Sequence, residues 1–144
     1  MTLGSRAGRT VAGMGAPAQA GVGVLAVDDQ SIFLDVAREV VAATPGFSWV
    51  GGANSGEEAL DAVTELEPAL VLMDVRMPGM DGIETAHRIC ERHPEVVVVL
   101  ISIEESPAIA PAIEASGAAT LVRKQEFSPA MLRRLWLTYK KPKG

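Results

Sequence analysis

The chain has 144 residues, enough for one domain and too few for two of ordinary size. Apolar residues make up 48% and charged residues 22%, which is globular composition, and the net charge of −5 excludes an overall basic field of the kind that attracts nucleic acid. No run is long enough for a membrane span: the longest strongly apolar stretch, 96–103, has about eight residues and suits a buried strand. The single Cys90 excludes an internal disulfide and fits a reducing cytoplasm.

Residues 1–21 are rich in Gly and Ala without a sustained period, and a disordered tail is expected there. Arg6 and Arg9 precede no apolar stretch of the secretory kind. Gly13 to Ala18 imitates a dinucleotide-binding GxGxxA, but Pro17 stands where the required helix would begin. From residue 23 onward the pattern alternates strand and helix five times.

The first apolar run, GVLAVDD, covers 23–29, and Ile32, Phe33, Val36, Ala37, Val40 and Val41 then recur at helical spacing. Thr44-Pro45-Gly46 stops that helix, and FSWVGGA at 47–53 reads as a second strand. Ser55 and Glu58 form a capping box for a helix with Ala59, Leu60, Val63 and Leu66 on its apolar face. The third strand is 69–74. Asp81 with Glu84 repeats the cap in an Asp version for a helix through about His93.

The fourth strand is 96–102. The segment 104–116 holds Pro107 and Pro111, and Pro111 can neither donate to the Pro107 carbonyl nor avoid it. A short, mobile fourth helix that starts near Pro111 or kinks is therefore expected. The fifth strand is 119–123. Ser128 and Pro129 open a last helix with Leu132, Leu135, Trp136 and Tyr139 on one stripe. Five such units imply a parallel sheet covered on both faces.

The chemistry-bearing residues stand at the carboxyl ends of these strands. Asp28 and Asp29 end the first, Asp74 the third and Ser102 the fourth, and Lys124 follows the fifth. In an open α/β sheet that edge is where sites form. Three acids together would repel unless a cation joins them. A divalent metal with hard oxygen ligands, such as Mg²⁺, and the Lys124 ammonium supply that charge and suit phosphoryl chemistry. His87, Cys90 and His93 spread around their helix, a poor arrangement for zinc. The basic end, Arg133, Arg134, Lys140, Lys141 and Lys143, reads as a solvated face with favourable charge at a helix C-terminus.

The tandem Asp28-Asp29, the segment DVRMPGMDG at 74–82, Ser102 and GAATLVRK at 117–124 together resemble a response-regulator receiver domain, over about residues 22–140. The resemblance implies a flavodoxin-like (βα)5 three-layer α/β sandwich with strand order 2-1-3-4-5. It implies that Asp74 is phosphorylated by a histidine kinase or a phosphotransfer protein. Asp29, Asp74 and the Arg76 backbone carbonyl then ligate Mg²⁺, with Asp28 acting directly or through water. Lys124 contacts a phosphoryl oxygen, and Ser102 donates its hydroxyl to the phosphoryl group and carries the switch. Such a chain catalyses only its own phosphorylation and dephosphorylation.

The sequence departs from the family pattern in several places. Leu121 stands at a switch position where an aromatic is usual. Ile103 replaces a small residue beside the site, and Gln125 replaces a frequent proline, where a cis bond would cost about 2.5–4 kcal/mol. Arg76 and Glu104 occupy positions that tend to tune dephosphorylation in the family, and Ile103 is expected to tune access by crowding the phosphoryl site and slowing small donors.

Two outputs stay open. The chain works through a downstream protein effector or a homodimer, or it is the receiver of a transcription regulator that touches DNA only through a further domain, with 141–144 as a basic tail or linker start. The prolines near the fourth helix favour a monomer or weak dimer before phosphorylation. A non-phosphorylated pseudo-receiver acting as an interaction domain is the alternative, favoured by Leu121 and Ile103 and opposed by the intact acids, Ser102 and Lys124. A metal-dependent phosphatase is disfavoured, because Arg76 stands where such enzymes place a second acid.

Overall fold

In the computed structural model, residues 21–104 and 107–142 are described. The tail at 1–20, with the Gly13–Ala18 fragment, lies outside the described residues, as do Glu105, Ser106, Lys143 and Gly144.

Five strands, β1 (Val22–Val27), β2 (Phe47–Ala53), β3 (Leu70–Asp74), β4 (Val97–Ser102) and β5 (Thr120–Arg123), form one sheet in the order β2-β1-β3-β4-β5. All four pairings are parallel. The helices are α1 (Ser31–Ala42), α2 (Gly56–Leu66), α3 (Gly82–Arg92), α4 (Ala110–Ser116) and α5 (Pro129–Tyr139). This is the expected flavodoxin-like order. The strands β3 and β4 are buried throughout, because helices cover both faces of the sheet.

Alternate strand residues feed two separate cores. Leu25, Val71, Met73, Val98 and Leu100 pack with Ala59 and Val63 of α2 and with Ala86 and Ile89 of α3. Val24, Leu70, Leu72, Val99 and Ile101 pack with Phe33, Ala37 and Val41 of α1 and with Leu132 and Leu135 of α5. Among the described residues, no helix is long and apolar enough to cross a membrane.

Several local expectations are refined. On α1 the buried stripe is Phe33, Ala37 and Val41, whereas Ile32 is 75% exposed and Val36 43% exposed, so these two belong to the outer surface and not to the core. Leu66 is likewise largely exposed. At α2 the Ser55 hydroxyl accepts from Glu58 N–H at 3.1 Å, but the Glu58 carboxylate accepts from Asn54 N–H, one residue earlier than a capping box requires. At α3, Asp81 caps Glu84 N–H at 2.9 Å while the Glu84 carboxylate turns instead to Arg88.

The fourth helix is short, as the prolines require. A 3₁₀ turn at Pro107–Ile109 precedes the seven-residue α4, and Pro111 sits in its first turn, where a missing N–H costs nothing.

One glycine fixes the loop beneath Asp74. Gly82 N–H donates to the Val75 carbonyl at 2.9 Å, and a Cβ at Gly82 would overlap the Asp74 carbonyl oxygen. Both neighbours are backbone and cannot swing aside. Gly82→Ala is therefore expected to cost about 3 kcal/mol, read as a fall in the urea midpoint at unchanged slope. A cost below about 1 kcal/mol would contradict this close approach.

Candidate functional site

The sheet order reverses between β1 and β3, which opens a crevice at their carboxyl ends. Asp28 and Asp29 follow β1, Asp74 ends β3, Ser102 ends β4 and Lys124 follows β5. Asp28, Asp29 and Asp74 each offer one carboxylate oxygen, and these oxygens lie within 4.8 Å of one another. Asp28 is fully buried and Asp74 is only 6% exposed. A cavity of about 440 Å³ opens above them, lined by Asp29, Asp74, Arg76, Ser102, Ile103 and Lys124 among others.

Lys124 balances part of this charge. Its Nζ lies 2.6 Å from Asp28 Oδ2 and 3.5 Å from Asp74 Oδ1, with the side chain 14% exposed. The same ammonium stands 5.1 Å from the centroid of the Phe33 ring, which is itself packed against Phe127. Such a cation–π contact contributes about 0.5–2 kcal/mol in partly desolvated surroundings. Asp28 Oδ1 accepts from Gln30 N–H at 2.8 Å, which orients the carboxylate. Asp28 Oδ2 has no aligned hydrogen bond, so its contact with Lys124 is a close charge pair that leaves lone pairs unfilled.

Burial pushes the Asp74 carboxyl up to about 6; the Asp28 charge adds to the rise, and Lys124 partly offsets it. Three carboxylates against one ammonium leave two net negative charges when all are ionised. A buried oxygen with unfilled lone pairs, two further hard oxygen donors and a double negative excess fit a small divalent cation such as Mg²⁺. Arg76 lines the cavity beside them.

Ser102 is brought to the cavity, but its hydroxyl points into its own turn: it donates to the Glu104 carbonyl at 2.6 Å and accepts from Glu104 N–H at 3.2 Å. Arg76 and Glu104 face each other at 3.8 Å with both side chains over 70% exposed, a pair worth about 0–1 kcal/mol. Leu121 is half-buried and packs, as Ile109 and Ile113 do, against the core that contains Val98 and Leu100. Ile103 is 64% exposed on the cavity rim. His87 and His93 lie near Glu91 and Glu95, and the acidic trio is the one convergent metal-ligand group among the described residues.

Sequence reasoning did not assign Phe33, Gln30 or Gly82 to the site. Phe33 reads as core, and nothing local announces that its ring lies beside Lys124.

The sequence matches the response regulator receiver domain over residues 24–135. It is 34% identical over 116 residues to the response regulator GacA of Pseudomonas viridiflava, covering 81% of this chain and 54% of that protein. It is 39% identical over 107 residues to protein-glutamate methylesterase/protein-glutamine glutaminase 4 of Geobacter metallireducens, covering 72% of this chain and 31% of that one. The chain thus spans about half the length, or less, of these curated relatives. The fold superposes on the signal receiver domain of the response regulator NarL from Mycobacterium tuberculosis with TM-score 0.75 and 29% identity, covering 82% of this chain and 94% of that one.

The raised Asp74 pKa has a stability consequence. A carboxyl that holds its proton more tightly when folded favours the native state below its unfolded value near 3.8, and that contribution is lost as pH rises through about 6. Asp74→Asn is expected to be more stable than the parent at pH 7.5 without divalent metal, by about 1–3 kcal/mol. The gain should fade as pH falls toward 4. Denaturant titrations at several pH values check this, and an equal or pH-independent difference would contradict it.

Proposed function

The chain belongs to the response regulator receiver domain family, and we propose that it is a phosphorylation switch whose acceptor is Asp74. The observation that carries this reading is the convergence of Asp28, Asp29 and Asp74 on one another beneath an open cavity, with Lys124 paired to Asp28 and Asp74. Asp28, Asp29 and Asp74, with the Arg76 backbone carbonyl, would hold Mg²⁺. When bound, the metal supplies positive charge that offsets the approaching phosphoryl oxygens.

An Asp74 oxygen attacks phosphorus of a phosphohistidine in line. The P–N bond of the donor breaks, its imidazole leaves with the electron pair, and an acyl phosphate forms on Asp74. Lys124 is already beside Asp74 and screens the incoming charge without rearranging far. The product adds roughly −1.5 to −2 charge, by analogy with other phosphates. That charge draws the Ser102 hydroxyl away from Glu104 and biases the surface formed by α4, β5 and α5, with Leu121 repacking beside Ile109 and Ile113. The chain has no separate substrate, and Arg76, Glu104 and Ile103 at the rim set the access of water.

A protein donor, a histidine kinase or phosphotransfer protein, fits the rim. Ile32 and Ile103 are exposed apolar side chains, and with Val36 they line a second cavity of about 500 Å³ that shares Lys124 with the acceptor cavity. The output is a downstream effector, a homodimer through the α4-β5-α5 surface, or control of transcription through a DNA-binding domain elsewhere in a longer protein.

Intact-mass measurement after incubation with Mg²⁺ and acetyl phosphate tests the acceptor. One phosphoryl adduct is expected on the parent, none on Asp74→Asn and none with chelator. An adduct that survives Asp74→Asn, or one that forms equally without Mg²⁺, would overturn the assignment.

A further inference from the structure

The turn after β4 is held at each of its three residues. Ser102 hydroxyl and Glu104 backbone bond each other, Glu104 carboxylate faces Arg76, and the Ile103 carbonyl accepts from Gln125 Nε2 at 3.3 Å. Among the described residues, the Gln125 bond is the only side-chain hydrogen bond joining this turn to the one after β5. Its position matters more than its strength. The Ile103 carbonyl and the Glu104 N–H belong to one planar peptide unit. Gln125 holds the oxygen of that plane, and the Ser102 hydroxyl holds its N–H. The plane cannot rotate without breaking one of the two.

We propose that Gln125 is a positioning residue: its carboxamide fixes the 103–104 peptide plane and thereby keeps the Ser102 hydroxyl turned away from Asp74. This rests on the phosphoacceptor reading above and deepens it. While the plane is clamped, the Glu104 N–H and carbonyl keep the Ser102 hydroxyl satisfied where it lies, and leaving them strands a backbone donor. Once the plane is free to turn, that N–H can find water and the hydroxyl can follow the phosphoryl oxygens. Gln125 is chain neighbour to Lys124, so a pull on the ammonium by a new phosphoryl group strains the same bond. The clamp thus links the movements of Lys124 and Ser102 and weights the equilibrium toward the unphosphorylated arrangement.

The test compares the parent with Gln125→Ala and with Gln125→Met, which keeps the length and removes the donor. Two readouts are taken on the full chain: affinity for beryllofluoride in excess Mg²⁺, and hydrogen exchange of the Glu104 amide without metal. Both variants are expected to bind beryllofluoride about two- to fivefold more tightly, at unchanged Mg²⁺ affinity, because the competent arrangement is more populated. Their Glu104 amides are expected to exchange faster by a similar factor. Unchanged or weaker beryllofluoride binding, with the parent binding normally, would overturn the clamp. If the parent binds no beryllofluoride, the phosphoacceptor reading fails instead, and Glu104 exchange still decides whether Gln125 holds the plane: equal rates refute it.

Discussion

Charge balance at one edge of the sheet governs this structure. A fully buried Asp28 is tolerable because Lys124 Nζ lies 2.6 Å away, and the same ammonium reaches Asp74 at 3.5 Å. One lysine cannot neutralise three carboxylates. Burial raises the Asp74 pKa, the neighbouring Asp28 charge adds to that rise, and Asp28 Oδ2 keeps lone pairs unfilled. Folding therefore builds a place that favours incoming positive charge, and the strands supply its rigidity. Each acid hangs from the end of a strand buried on both faces, so the acids cannot drift apart to relieve their repulsion.

The responsive parts lie one shell further out. The Ser102 hydroxyl is satisfied by its own turn, the Arg76–Glu104 pair is solvated, and α4 is a seven-residue helix opened by a proline. These contacts are individually weak, which suits the switch proposed above, in which the element takes two arrangements of similar free energy. Leu121, Ile109 and Ile113 all pack, partly buried, against the same core. In the proposed switch, a rigid acid cluster beneath would bind charge and a weakly held turn above would report it.

Much of this was legible in the sequence. Short apolar runs ending in Asp28, Asp74, Ser102 and Arg123-Lys124 locate the strands and their site-bearing ends together, because a buried parallel strand tolerates polar groups only where it emerges. Pro111 announced the short α4 through a missing donor. Other features depend on contacts between residues distant in the chain, to which periodicity is blind. The apolar stripe of α1 is broader than the surface that covers it, so Ile32 and Val36 read as core and lie outside. Phe33 beside Lys124, and Gln125 against the Ile103 carbonyl, join segments that nothing local relates. The reciprocal bonds of Glu58 and Glu84 failed for a smaller reason: a long carboxylate chooses among several nearby donors.

The most direct measurement is a Mg²⁺ titration of the metal-free chain at pH 7.5, followed by backbone amide NMR, with Asp29→Asn alongside. Saturable binding of one ion is expected, with the largest shifts at Asp28, Asp29, Asp74 and Arg76, and an affinity at least about tenfold weaker in the variant, in line with loss of a charged ligand. Shifts scattered over the acidic surface, or an affinity indifferent to Asp29, would contradict it.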